Sequence, residues 1–173
     1  MRIQAPRIAR AALLTALGLL LAWLEQLMIP AIAVPGVKVG LANLASLLAL
    51  YALSPLDALA VCVSRVLLSG FLFGSMTSLI YAMAGALLSL GGMCLLKRAP
   101  VLSVVGVSAA GGCLHNVAQL AVAAFMVPGS GILSYLPVLM IAGTLTGVVN
   151  GLLAHAVLER VGRQANGPYG HKT

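Results

Sequence analysis

An all-α bundle of six membrane-spanning helices is the architecture to which this 173-residue chain points, on three grounds. Hydrophobic types make up 61% of the chain and charged types 8%, against about 45–50% and about 25% in soluble domains. Apolar runs of roughly span length alternate with short stretches of Pro, Gly and charge. The basic residues stand singly or in pairs at the edges of those runs, which is a membrane pattern and not a nucleic-acid patch. Only three acids are present, Glu25, Asp57 and Glu159, too few to give a soluble globule its charged surface. Soluble, disordered and nucleic-acid-binding classes are therefore excluded, despite a net charge of +7. At about 20 residues per span, six or seven helices use up the chain and leave no room for a soluble domain. The expected organisation is an N-terminus at 1–7, a transmembrane domain at 8–158 and a polar tail at 159–173.

The first segment runs from about Ile8 to Ile29. Arg2, Arg7 and Arg10 precede it, and Ala31-Ile32-Ala33 follows as a small-x-small sequence. The apolar stretch is long for a signal peptide and right for a span, so it is expected to remain in the protein. Pro30 to Lys38 forms a loop. The second segment, about Val39 to Leu53, reaches only about 22 Å and needs shelter from its neighbours or an entry loop that dips into the membrane. Ser54-Pro55-Leu56-Asp57 opens the third with a capping serine, a proline at the first helical position and an acid two residues later. That segment ends near Phe73-Gly74. The fourth spans about Ser75 to Leu96 and stops at Lys97-Arg98-Ala99-Pro100. The fifth covers about Val101 to Val127, and Pro128-Gly129-Ser130-Gly131 turns it into the sixth, about Ile132 to Leu158.

Charge supports this count. With six spans, Arg2, Arg7, Arg10, Lys97, Arg98, Arg160, Arg163 and Lys172 collect on one side and Lys38 alone on the other. Positive residues mark the cytoplasmic side. Both termini are expected in the cytoplasm of a bacterial inner-membrane protein, with the Pro30–Lys38, Gly74 and Pro128–Gly131 turns outside.

Polar side chains inside apolar runs are the candidates for chemistry. Arg65 lies about nine residues into the third segment, where a charge costs roughly 2.5–3.5 kcal/mol. Asp57 is eight residues away, too far along a helix for a direct pair. Arg65 is therefore held by carbonyls and amides of neighbouring helices, or it faces a ligand. His115-Asn116-Val117-Ala118-Gln119 sits in the middle of the fifth run, with His115 and Gln119 one turn apart on the same face. Such a cluster lines a polar cavity or bonds across helices. Lys38, Asn43 and Tyr81, together with Glu25 and Gln119, lie toward the outer side and are candidates for a vestibule. Helix capping by Asn43 and interfacial anchoring by Tyr81 are the simpler readings.

Small residues mark helix contacts. Gly143-x-x-x-Gly147-x-x-x-Gly151 is expected to pack internally, and Ala12-x-x-x-Ala16 either packs or docks another protein. Cys62, Cys94 and Cys113 lie singly in apolar runs without metal-site spacing and read as small hydrophobes. No Gly-rich phosphate loop ending in Lys-Ser/Thr is present, so the chain is not its own ATPase. One Asp and two Glu cannot build a two-metal carboxylate site, and no Ser–His–Asp set is evident. No metal and no cofactor are expected.

Pro35-Gly36-Val37-Lys38-Val39-Gly40-Leu41-Ala42-Asn43 resembles the Pro-Gly-x-Lys-x-Gly-Leu-Ala-Asn stretch of the Gx transporter family, also called heptaprenyl diphosphate synthase component I. Ser78-Leu79-Ile80-Tyr81, Gly85-Ala86-Leu87-Leu88-Ser89 and His115–Gln119 extend the likeness over roughly residues 8 to 158. That family in turn resembles the S components of energy-coupling factor (ECF) transporters. The resemblance implies a six-helix membrane subunit that captures a vitamin-like solute from outside, without implying which one. The residues themselves, a positive Arg65 among the neutral His115, Asn116 and Gln119, favour a small polar or anionic solute. It also implies partners, a membrane coupling protein and ATPases, with Ala12 and Ala16 matching the S-component docking pair. The synthase name implies a different role, a non-catalytic membrane subunit of a prenyl diphosphate synthase, because the aspartate-rich magnesium motifs of such enzymes are missing. A structural scaffold for a membrane redox or lipid-modifying complex is a third possibility.

Overall fold

The computed structural model describes residues 5–28, 40–126 and 131–165, with side chains in the last helix as far as Val161. Six α-helices follow one another: α1 (Ala5–Met28), α2 (Asn43–Ala52), α3 (Pro55–Phe73), α4 (Met76–Leu96), α5 (Val104–Met126) and α6 (Leu136–Ala165). A 3-10 turn, Ile132–Tyr135, leads into α6. No strand occurs among the described residues. Five helices, α1 and α3 to α6, are long and apolar enough to cross a membrane. Their exposed surface carries large apolar side chains such as Leu13, Phe71, Leu95, Phe125 and Ile141, as lipid contact requires. The chain is a helical, multi-pass membrane protein.

The sixth element differs from the others. α2 has ten residues, about 15 Å of helix, and does not reach across a bilayer alone. Every residue from Leu44 to Leu50 is buried. A helix that is apolar all round belongs inside a bundle, and α2 packs against α1, α3, α4 and α6. It starts later than Val39 because Gly40 turns the chain at φ +69°, with Asn43 N–H bonding the Gly40 carbonyl at 3.0 Å. Its other end is held by Lys97, whose ammonium donates to the Leu50 carbonyl at 2.7 Å and lies 4.7 Å from the Tyr51 ring centre.

α3 opens at the capping sequence as expected. The Ser54 hydroxyl accepts from Asp57 N–H at 3.2 Å, and Pro55 takes the first helical position. Arg7 adds a tie between α1 and α3, with Nε 2.8 Å from Asp57 Oδ2 and Nη2 2.8 Å from the Ser54 hydroxyl. α6 runs on past Leu158 to Ala165.

α5 and α6 approach backbone to backbone. A Cβ on Gly143 would lie 2.5 Å from the Gly112 carbonyl oxygen, and one on Gly151 2.6 Å from Val105 Cα. At Gly147 it would strike the Ser108 carbonyl. The glycine series is thus an internal seam, as its spacing implies. Alternation of the helices puts Arg7, Arg10, Lys97, Arg98 and Arg160 at one end of the bundle. The turns at Gly74 and Gly131 lie at the other, and the Gly40 turn sits deeper in the bundle, against Asn150 midway along α6.

Candidate solute-binding cavity

A cavity of about 80 Å³ opens between α1, α2, α3, α4 and α5, toward the glycine-turn end. Arg65 on α3 and Glu25 on α1 both line it, at 6% and 7% exposure. Arg65 reaches it because Gly18 leaves room on α1: a Cβ there would lie 2.5 Å from Arg65 Cδ. Its Nη2 donates to Asn43 Oδ1 at 3.0 Å. Its buried Nε has no hydrogen-bond partner. Asp57, committed to Arg7 and Ser54, plays no part here. Glu25 is the acid whose charge acts on Arg65, and its Oε1 accepts from the Gly40 N–H.

His115 and Gln119 enter from α5, one turn apart as expected. Gly85 on α4 makes space for them, since a Cβ there would come within 2.9 Å of both side chains. Ser69, one turn after Arg65, and Ser78 at the start of α4 add hydroxyls to the wall. The lining therefore carries both signs of charge among neutral hydrogen-bonding groups. The sequence alone showed the positive charge at this depth and gave Glu25 only a place near the outer side.

The structure brings Asn43, Arg65, His115 and Gln119 together. Asn116 serves a different contact: its Nδ2 donates to the Leu139 carbonyl at 2.8 Å and ties α5 to α6. It lines a second, smaller void of about 10 Å³ beside Asn43 and His115. Tyr81 is half-buried and lines neither space. Lys38 lies outside the described residues. Ala12 and Ala16 are exposed on α1, on a different face from Ala11, Leu14 and Leu17, which pack against the core.

Sequence reasoning missed Asn150. Its Nδ2 donates to the Gly40 carbonyl at 2.8 Å from α6, while its buried Oδ1 is unpartnered. The turn at 40–43 is consequently gripped from three sides, by Glu25, Arg65 and Asn150. An amide within an apolar run was the available signal, hidden among the glycines of the same segment. Among the described residues no three His, Cys, Asp or Glu side chains converge on a metal position.

The chain matches the family model of heptaprenyl diphosphate synthase component I over residues 14–157. It belongs to that family. The match takes in every cavity residue named above, so the component I region includes the whole site. No curated protein matches the chain, and no solved structure does.

Proposed function

We propose that this component I protein is a solute-binding subunit of a multi-subunit membrane transporter, similar to an ECF S component. It takes a small polar solute from outside into the Arg65 cavity, and a membrane coupling protein with ATPases supplies the energy. The observation that carries this reading is the buried guanidinium with an unsatisfied Nε beside a polar cavity, inside an apolar bundle. Charges at such depth are costly and mark ligand or ion pathways. The positive-inside rule supports an orientation with the Arg7–Lys97 end in the cytoplasm and the cavity mouth outside. Ala12 and Ala16, exposed and small, fit close approach by a partner helix.

The test is to purify the protein gently from native membranes and identify released small molecules by mass spectrometry. A polar solute present with the natural protein and lost from Arg65→Gln supports capture. Release of nothing but lipid counts against it. Replacing Ala12 and Ala16 with Leu should remove the coupling partner and leave solute release intact.

The family name favours a second reading, a non-catalytic membrane subunit of a heptaprenyl diphosphate synthase. Its three acids are dispersed, with Asp57 bound to Arg7, Glu25 to the Gly40 turn, and Glu159 3.5 Å from His155. On this reading the chain alone should make no polyprenyl product from magnesium and allylic and homoallylic diphosphates, and it should co-purify with a soluble prenyl synthase.

A further inference from the structure

Two opposite charges line one small cavity from different walls, and their positions are set by the same turn of chain. Glu25 on α1 is fixed by the Gly40 N–H, and Arg65 on α3 by the Asn43 side chain. Both are buried. The described lining holds one carboxylate, one guanidinium and no other Asp, Glu, Lys or Arg. A solute of single negative charge would be desolvated beside a buried carboxylate, and one of single positive charge beside a buried guanidinium. Each arrangement leaves a charge of like sign close by in a medium that screens it weakly. A neutral solute would replace water around both ions without a charge to offer either. A molecule carrying one charge of each sign keeps the occupied cavity balanced.

Resting on the reading that this cavity captures a solute, we propose that the solute is a small zwitterion bearing a carboxylate and an ammonium group. The carboxylate accepts from Arg65, whose Nε is a buried donor without a partner and whose planar fork suits two parallel bonds. The ammonium lies toward Glu25. Ser69, His115 and Gln119 face the rest of the molecule. A cavity of about 80 Å³ restricts the solute to a small one.

The full chain in lipid nanodiscs is titrated calorimetrically with the common free α-amino acids and with glycine betaine. Each amino acid is paired with its deaminated acid and its decarboxylated amine. At least one zwitterion should bind, and each single-charge counterpart should bind roughly tenfold more weakly or worse. Glu25→Gln should narrow the gap for the deaminated acid, and Arg65→Gln the gap for the amine. The comparison of probes on the natural protein stands even where a variant fails to fold. Equal binding of a deaminated acid and its parent overturns the proposal, as does binding by none of the zwitterions. Mass spectrometry of solute released from the same preparation separates this failure from failure of capture. A released solute of single sign ends the zwitterion assignment and leaves capture standing. A protein that releases nothing and binds nothing ends both.

Discussion

Two arginines in this bundle each have a carboxylate nearby, and they serve opposite ends. Arg7, at the basic end, spends Nε on Asp57 and Nη2 on the Ser54 cap, and its side chain is half exposed. Arg65, near the cavity, is buried, bonds an amide, and keeps an unpartnered Nε. At the first site, local chemistry satisfies the charge and water helps. At the second, the bundle accepts a buried cation whose hydrogen bonding is incomplete. An arginine finished by its own protein acts as a strut, whereas an unfinished one beside a cavity has capacity left for something else.

Substitutions at the two sites should therefore separate. Arg65→Gln should give the largest effect, weakening solute binding by about 1.5–3 kcal/mol, the scale of charge-assisted hydrogen bonds. Affinity and melting temperature measured on one preparation check this. A lowered melting temperature with unchanged affinity would make Arg65 a strut like Arg7. Asn150→Ala should come next, because it releases the Gly40 carbonyl and loosens the turn that positions both charges. About 1–2 kcal/mol should be lost from folding and binding together, read as a fall in both melting temperature and affinity. His115→Ala and Gln119→Ala should each cost about 1 kcal/mol of binding by calorimetry, with the fold intact. Asp57→Asn should have the smallest effect. Exposed ion pairs contribute little, so the melting temperature should fall slightly and solute affinity should not change. A clear loss of affinity in Asp57→Asn would collapse the contrast between the two ends.

What was legible in the sequence follows the range of the forces involved. The start of α3 was readable because Ser54, Pro55 and Asp57 satisfy one another within four residues. Arg65, His115 and Gln119 were readable because polar groups in apolar runs are costly wherever the fold places them. The start of α2 was not, because the Gly40 turn is held from α1 and α6, which are remote in the chain. Glu25 stood near the right depth, but its placement across from Arg65 depends on how α1 and α3 pack. Tyr81 shows another limit. α4 turns Ser78, Gly85 and Ser89 inward along one face, and Tyr81 lies off that face, so depth along the helix does not tell which way a residue faces. Asn116 marks the boundary between the two kinds of polar group, since it lies within the cluster yet bonds α6.

Glycines at 112, 143, 147 and 151 leave the α5–α6 seam no side chain to trim or repack. A core of leucines tolerates drift in its sequence, because a gain of volume at one position is offset by a loss at its neighbour. Carbonyl oxygens occupy the space where a Cβ would stand at Gly143 and Gly147, and a carbonyl cannot be exchanged for a smaller one. Any added carbon has to be met by parting two helices along their length. The lipid-facing positions of the same helices, Ile141, Leu145 and Leu152 among them, accept almost any apolar residue. One helix thus carries a nearly free face and a nearly frozen one, and the variation open to descendants of this protein is divided between them by the geometry of a single seam.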